Sequence, residues 1–188
     1  MFIYSYNKLK IMFINMKGDL IMCNQGCQDC QPLIDKAPNS DPNVSGFQIE
    51  LISCEMITPT NREFIYEITP VGTPPNSISN ILICLCPESF VECEVTVPDP
   101  DPENPPTCFF ETNPNAGGNP VKCQGVKYEN LGENNDPDSL ITVSLTVKDE
   151  EITVEPIQIG YKAATPSYIW TVCGPSCGTE NRIRGIKF

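Results

Sequence analysis

The sequence predicts an all-β protein: an antiparallel two-sheet sandwich, jelly-roll or immunoglobulin-like, with a flexible cysteine-bearing arm at its N-terminus. The main evidence is a period-two alternation of apolar and polar residues, clearest at Ile141, Val143, Leu145 and Val147. Turn-forming residues separate eight or so such runs, as in sandwich proteins. The 19 prolines disfavour long helices.

The first half of the predicted sandwich contains four strands. Apolar residues alternate with polar ones in Phe47–Leu51, in Phe64–Ile68 and in Val91–Val97. Between the last two, Ile78–Cys86 is apolar almost throughout, which predicts a strand buried on both faces. Pro98–Pro106 then alternates proline with acidic residues, so we expect an extended loop of polyproline type that does not pair as a strand.

The second half is expected to contain a loop over Asn113–Pro120 and four more strands. The polar run 148–151 predicts a tight turn, and the strands on either side of it are expected to form a hairpin. After the turn, Ile152 and Val154 resume the alternation, and Ile157, Ile159 and Tyr161 continue it past Pro156. The four runs are Lys122–Tyr128, Leu140–Val147, Ile152–Tyr161 and Tyr168–Cys173.

The chain divides into a leader (1–21), a cysteine-rich arm (22–46), the sandwich (47–178) and a short basic tail (179–188). The apolar run Ile11–Met16 is shorter than the roughly 7–15 residues of a signal-peptide core, and no cleavage site follows it. Codons for Met16–Met22 can form a purine-rich ribosome-binding sequence. We therefore hypothesise that translation starts at Met22; the alternative is a disordered leader.

The charge balance argues against two classes of partner. The chain has 24 acidic and 12 basic residues, a net charge of −12. Such a surface repels nucleic acid and anionic lipid, so we expect neither nucleic-acid binding nor membrane insertion. The expected partners are further copies of the same chain or other cysteine-rich surface proteins.

The residue types needed for common catalytic sites are missing. Gly174–Gly178 fits the G-x-S-x-G pattern of a nucleophile elbow, but that site needs a histidine base and the chain has no histidine. The spacing of Cys23, Cys27 and Cys30 fits an iron–sulfur site, but a strand-rich body does not fit the matching enzyme fold. A zinc site would need a fourth ligand. We expect no enzyme activity and no cofactor.

Eleven cysteines indicate a disulfide framework. An even number, eight, lies in the sandwich, where four bridges have 105 possible connectivities. Cys84 and Cys86 lie in an apolar strand, where buried thiols are the alternative. The arm adds an odd number, so at least one must be unpaired, bind metal or bridge to another site. The intradomain candidates are Cys54, Cys84, Cys86, Cys93, Cys108, Cys123, Cys173 and Cys177.

This layout resembles the endospore appendage fibre subunits of Bacillus relatives, in which a short cysteine-bearing connector precedes a jelly-roll domain. The resemblance implies that Cys23, Cys27 and Cys30 form the connector and link neighbouring subunits by disulfides. The body departs from that pattern in its eight cysteines and its long Pro/Asp loop. Separately, Gly125–Leu131 and Trp170–Cys177 resemble a recurrent domain of about fifty residues in uncharacterised bacterial surface proteins, which implies no activity.

These observations favour a non-enzymatic structural subunit of a spore-surface or appendage assembly, cross-linked through its arm. We expect it at the spore or cell surface, assembled without a signal peptide, or alternatively secreted. The alternative function is an adhesin-like binding module that uses the loops Pro98–Pro106 or Asn113–Pro120 at one end of the sandwich.

Overall fold

The computed structural model describes residues 46–177, except 73, 75, 116, 117, 119, 135 and 164–166. In that part of the chain nine strands form two antiparallel sheets and no α-helix is present. The predicted all-β sandwich is therefore confirmed. The strands are β1 (Gly46–Met56), β2 (Asn61–Val71), β3 (Asn80–Cys84), β4 (Phe90–Thr96), β5 (Thr107–Glu111), β6 (Gly125–Glu129), β7 (Ile141–Lys148), β8 (Ile152–Lys162) and β9 (Ser167–Cys177).

The order of the strands resolves the choice between the two expected sandwich types. One sheet has the order β1-β2-β7-β4 and the other β5-β6-β3-β8-β9. With β5 and β6 set aside, this is the order of the ABED and CFG sheets of a constant-type immunoglobulin domain. The pair β5–β6 extends the second sheet beyond β3. The fold is thus immunoglobulin-like in topology.

The prediction of a hairpin around residues 148–151 is wrong. Its two strands, β7 and β8, belong to different sheets: β7 pairs with β2 and β4, and β8 with β3 and β9. A 3-10 turn, Asp149–Glu151, carries the chain between the sheets, and its first amide donates to the carbonyl of Thr60 at 2.9 Å. Alternation predicts which face of a strand is buried, but it does not predict the partner strand.

As expected, the strand continues through Pro156, since β8 runs unbroken from Ile152 to Lys162. Pro156 pairs with Cys173 of β9, whereas β3 pairs only with Ile159–Lys162. At Pro156 one side of β8 therefore has no neighbouring strand. Because proline has no backbone N–H, it is tolerated on that side, where no hydrogen bond to another strand is needed.

The strand expected to be buried on both faces is β3. Ile81 and Ile83 face the core, while Leu82 faces away from it and is still buried. The loop between β5 and β6 crosses this outer face. The loop starts at the end of the sheet where Glu111 pairs with Gly125. At the opposite end of the sheet, the carbonyl of Gly118 accepts a 3.3 Å hydrogen bond from the hydroxyl of Ser167.

Three aromatic donors join the sheets through the core. The hydroxyl of Tyr66 on β2 donates to the carbonyl of Cys173 on β9 at 3.0 Å. From the other sheet, Nε1 of Trp170 on β9 donates to the carbonyl of Phe47 on β1 at 3.1 Å. Tyr128 on β6 makes a third such bond to β7. Because these donors are buried, each bond satisfies a polar group that would otherwise be costly to enclose.

Among the described residues, no helix is long and apolar enough to cross a membrane.

Candidate functional site

The candidate site is the set of cysteines, and one disulfide closes an edge of the sandwich. Cys93 on β4 and Cys108 on β5 are bonded, with their Cα atoms 6.1 Å apart. The two strands are edge strands of different sheets. Beside the bond, the rings of Phe90 and Phe110 pack with centroids 5.5 Å apart. This edge is therefore fastened both covalently and by aromatic packing.

The other two disulfides hold the end of β3. Cys84 bonds to Cys123 in the segment before β6, with Cα atoms 5.6 Å apart. Two residues beyond β3, Cys86 bonds to Cys177 at the end of β9, with Cα atoms 5.9 Å apart. Cys84 and Cys86, for which buried thiols were the alternative interpretation, are thus both in disulfides. The last residue of the described body is covalently tied to its centre.

Cys54 and Cys173, also counted among the disulfide candidates, lie outside these three bonds and are 3% and 4% exposed. Arg62 Nη1 lies 3.5 Å from Cys54 Sγ, and Arg62 Nε donates to Asp149 Oδ1 at 2.6 Å. Burial lowers the pKa of the Arg62 guanidinium, but its bonds to Asp149 and Cys54 outweigh burial and raise that pKa above its ordinary value. Arg62 therefore stays charged and ties β2 to the turn after β7.

Every cysteine of the described body is thus either in an intradomain disulfide or buried. The arm cysteines Cys23, Cys27 and Cys30 lie outside the described residues, as do the leader and the basic tail. Within the described part of the chain, no three histidine, cysteine or acidic side chains are grouped as ligands for a metal ion.

The serine of the G-x-S-x-G pattern lies in a strand. Ser176 belongs to β9, which pairs with β8 up to Cys177. A nucleophile elbow instead places its serine on a sharp strand-to-helix turn, exposed at the top of a sheet. Ser176 is buried, so its surroundings are not those of an elbow.

The two loops considered for ligand binding approach the same end of the sandwich. Pro98–Pro106 joins β4 to β5 there, without pairing as a strand, as predicted. A turn at Asp101–Asn104 interrupts the expected polyproline course, since Asn104 N–H donates to the carbonyl of Asp101 at 3.1 Å. Gly118 of the other loop reaches this end beside Ser167. The exposed residues of Pro98–Pro106 are mainly prolines and acids.

The sequence offered the eight body cysteines as disulfide candidates without their pairing, and six of them lie in the three bonds described. Strand order decides which of them meet. It also missed Arg62 and Asp149, which lie 87 residues apart and whose contact no local pattern signals. No protein-family model matches the chain, and no curated protein matches it in sequence.

Proposed function

We propose that the protein is a non-enzymatic structural subunit of a spore-surface or appendage assembly, linked by disulfides from Cys23, Cys27 and Cys30. One observation carries the proposal. Each cysteine of the described body is either bonded within the domain or buried, so the body offers no exposed thiol for cross-linking within the described residues. Links between copies must then start from the arm.

The architecture supports a mechanical role. Three disulfides fasten one edge, the centre and the C-terminal end of a sandwich whose sheets are also joined by buried hydrogen bonds. Each disulfide contributes about 2–4 kcal/mol to stability, which suits a unit that bears load outside the cell. Disulfides of this density are typical of oxidising surroundings, which supports a spore or cell surface location, or secretion.

The test is the gel mobility of the oxidised full-length protein with and without reductant. We expect ladders that collapse to a monomer on reduction and that disappear when Cys23, Cys27 and Cys30 are replaced by serine. The matched control replaces Cys93 and Cys108 by serine, which removes a body disulfide and leaves the arm intact. That variant should still form ladders. A monomer in both lanes for the unaltered protein would refute the proposal.

A binding module remains the second candidate, supported by the convergence of Pro98–Pro106 and Gly118 on one end of the sandwich. Loops clustered at one end are the recognition surface of many immunoglobulin-like domains. This candidate predicts a monomer that binds a partner through that end. Replacing Asp99, Asp101 and Glu103 by uncharged isosteres should then weaken binding to intact cell surfaces, and should leave the ladders of the first candidate unchanged.

A further inference from the structure

The outer face of the four-stranded sheet is strongly acidic. Its outward positions follow from the pairing, because the residues that alternate with them, such as Phe64 and Leu145, belong to the core. Strand β7 presents the small hydroxyl side chains of Thr142, Ser144 and Thr146 there, and its last outward position is the exposed Lys148. The other three strands supply six carboxylates, which we call the acidic face: Glu50, Glu55, Glu63, Glu67, Glu92 and Glu94.

Like charges are directly opposed within the acidic face. Glu50 pairs with Glu67, and Glu55 pairs with Glu63, across β1 and β2. Such cross-strand pairs destabilise a sheet unless a positive group lies between them. The two ion pairs within the described residues, Arg62–Asp149 and Lys127–Glu129, do not involve any of these six glutamates. The acidic face thus carries a repulsion that a basic ligand would relieve.

The C-terminal tail of the chain has the complementary charge. Residues 179–188 contain Arg182, Arg184 and Lys187 against a single acid, Glu180. The chain as a whole has a net charge of −12. Beyond the leader (1–21), the tail is therefore a cationic stretch in an acidic chain.

The tail starts close enough to reach the acidic face. Cys177 pairs with Ile152, which directly follows the turn that binds the end of the four-stranded sheet through Asp149 and Thr60. Eleven further residues in extended form span about 36 Å, at roughly 3.3 Å each. Four strands are about 15 Å wide at their usual spacing of about 4.8 Å. The first arginine lies five residues beyond Cys177, about 17 Å of extended chain.

We propose that the acidic face is a docking surface for the chain's own tail, residues 179–188, with Arg182, Arg184 and Lys187 placed among the glutamates. Covalent connection favours the chain's own tail over a separate peptide, because a short linker holds its end at an effective concentration in the millimolar range. The contact is electrostatic and solvent-exposed, so it weakens with salt as the screening length falls from about 10 Å at 0.1 M to about 3 Å at 1 M. The proposal is independent of the arm disulfides.

The experiment treats the full-length protein with a carbodiimide, which joins an amine to a carboxylate without a spacer, and maps the linked peptides by mass spectrometry. We expect Lys187 to be linked to glutamates of the acidic face at low salt. The critical variant carries Arg182→Gln and Arg184→Gln. This variant retains Lys187 and every glutamate, so a loss of links reports a loss of docking and not a loss of reactive groups. We expect the number of links to fall about tenfold, and 1 M salt should lower it in the same way by screening the charges.

The matched control carries Lys122→Gln, in the segment before β6, and Lys162→Gln, at the end of β8, and should keep the links of the unaltered chain. A mixture of isotope-labelled and unlabelled protein separates links within a copy from links between copies. Links only between copies would overturn the assignment of the chain's own tail and identify a second copy as the occupant. Absence of links from Lys187 to the acidic face, or links that both arginine changes leave unaltered, would overturn the docking surface itself.

Discussion

The hydroxyl of Tyr128 on β6 donates a 2.8 Å hydrogen bond to the carbonyl of Ser144 on β7, and so connects the two sheets across the core. Tyr128 is fully buried, and without its hydroxyl the Ser144 carbonyl loses this donor. Tyr128→Phe removes the donor and leaves the ring in place. We expect a loss of about 1–3 kcal/mol in the free energy of unfolding, measured with urea. Tyr168→Phe, at a half-buried ring, is the control and should cost less.

The same tyrosine predicts the response to alkaline pH. Burial raises the pKa of Tyr128 well above its ordinary value of about 10. The folded protein therefore keeps a proton that the unfolded chain releases above about pH 10, so stability falls as pH rises beyond that point. Relative to Tyr128→Phe, the unaltered protein should lose about 1.4 kcal/mol more per pH unit there. Urea titrations between pH 8 and pH 11 with equal slopes for the two proteins would contradict this.

Asn134 replaces a missing strand partner for Ile78. Its Oδ1 accepts from Ile78 N–H at 2.8 Å, and its Nδ2 donates to the carbonyl of Ile78 at 3.0 Å. Asn134→Ala leaves both buried backbone groups unsatisfied, at about 1–3 kcal/mol for each. We expect a marked loss of stability and fast hydrogen exchange at the Ile78 amide. Asn104→Ala, in an exposed turn, is the control; an equally small effect of both changes would contradict the role of Asn134.

Gly125 marks a close approach of two strands. A Cβ atom at this position would overlap the carbonyl oxygen of Ile83 on β3, a backbone atom that cannot move without disturbing the sheet. We expect Gly125→Ala to destabilise the fold by about 3 kcal/mol or more, the upper end of the cost of overpacking a core, because the obstacle is backbone. At Gly174 the obstacles are side chains of Ile157 and Tyr66, so Gly174→Ala should cost less. Thermal melts of both variants test the order.

The body disulfides should differ in their effect on stability according to loop size. Cys93 and Cys108 are 15 residues apart, and Cys86 and Cys177 are 91 apart. Replacing both partners by serine should cost about 3 kcal/mol for the short loop and about 4–5 kcal/mol for the long one. Guanidinium unfolding of the two double variants measures the difference. A larger loss for the short loop would show that native-state strain, rather than loop closure, dominates.

The sequence predicts the buried faces well where alternation is regular. Phe64, Tyr66 and Ile68 of β2, and Ile141 to Val147 of β7, face the core as expected. β5 was missed because Thr107–Glu111 follows a proline-rich loop and puts two phenylalanines side by side, which hides the alternation. The other eight strands overlap the runs predicted for them.

Which strands and which cysteines pair depends on the whole fold, and no local sequence pattern indicates it. Cys84 and Cys123 meet because β3 and β6 are neighbours, although 39 residues separate them. For the same reason a polar stretch around Asn134 gives no sign that its side chain enters the core. The three bonds that six of the body cysteines form were therefore not predictable from the sequence.

The most direct test of the structural-subunit proposal is disulfide mapping of the oxidised full-length protein, from a mixture of isotope-labelled and unlabelled copies digested without reduction. We expect peptides with Cys23, Cys27 or Cys30 of one copy bonded to a cysteine of another, while the bonds Cys84–Cys123, Cys86–Cys177 and Cys93–Cys108 stay within a copy. Arm cysteines bonded only within their own copy, or recovered only as thiols, would contradict it.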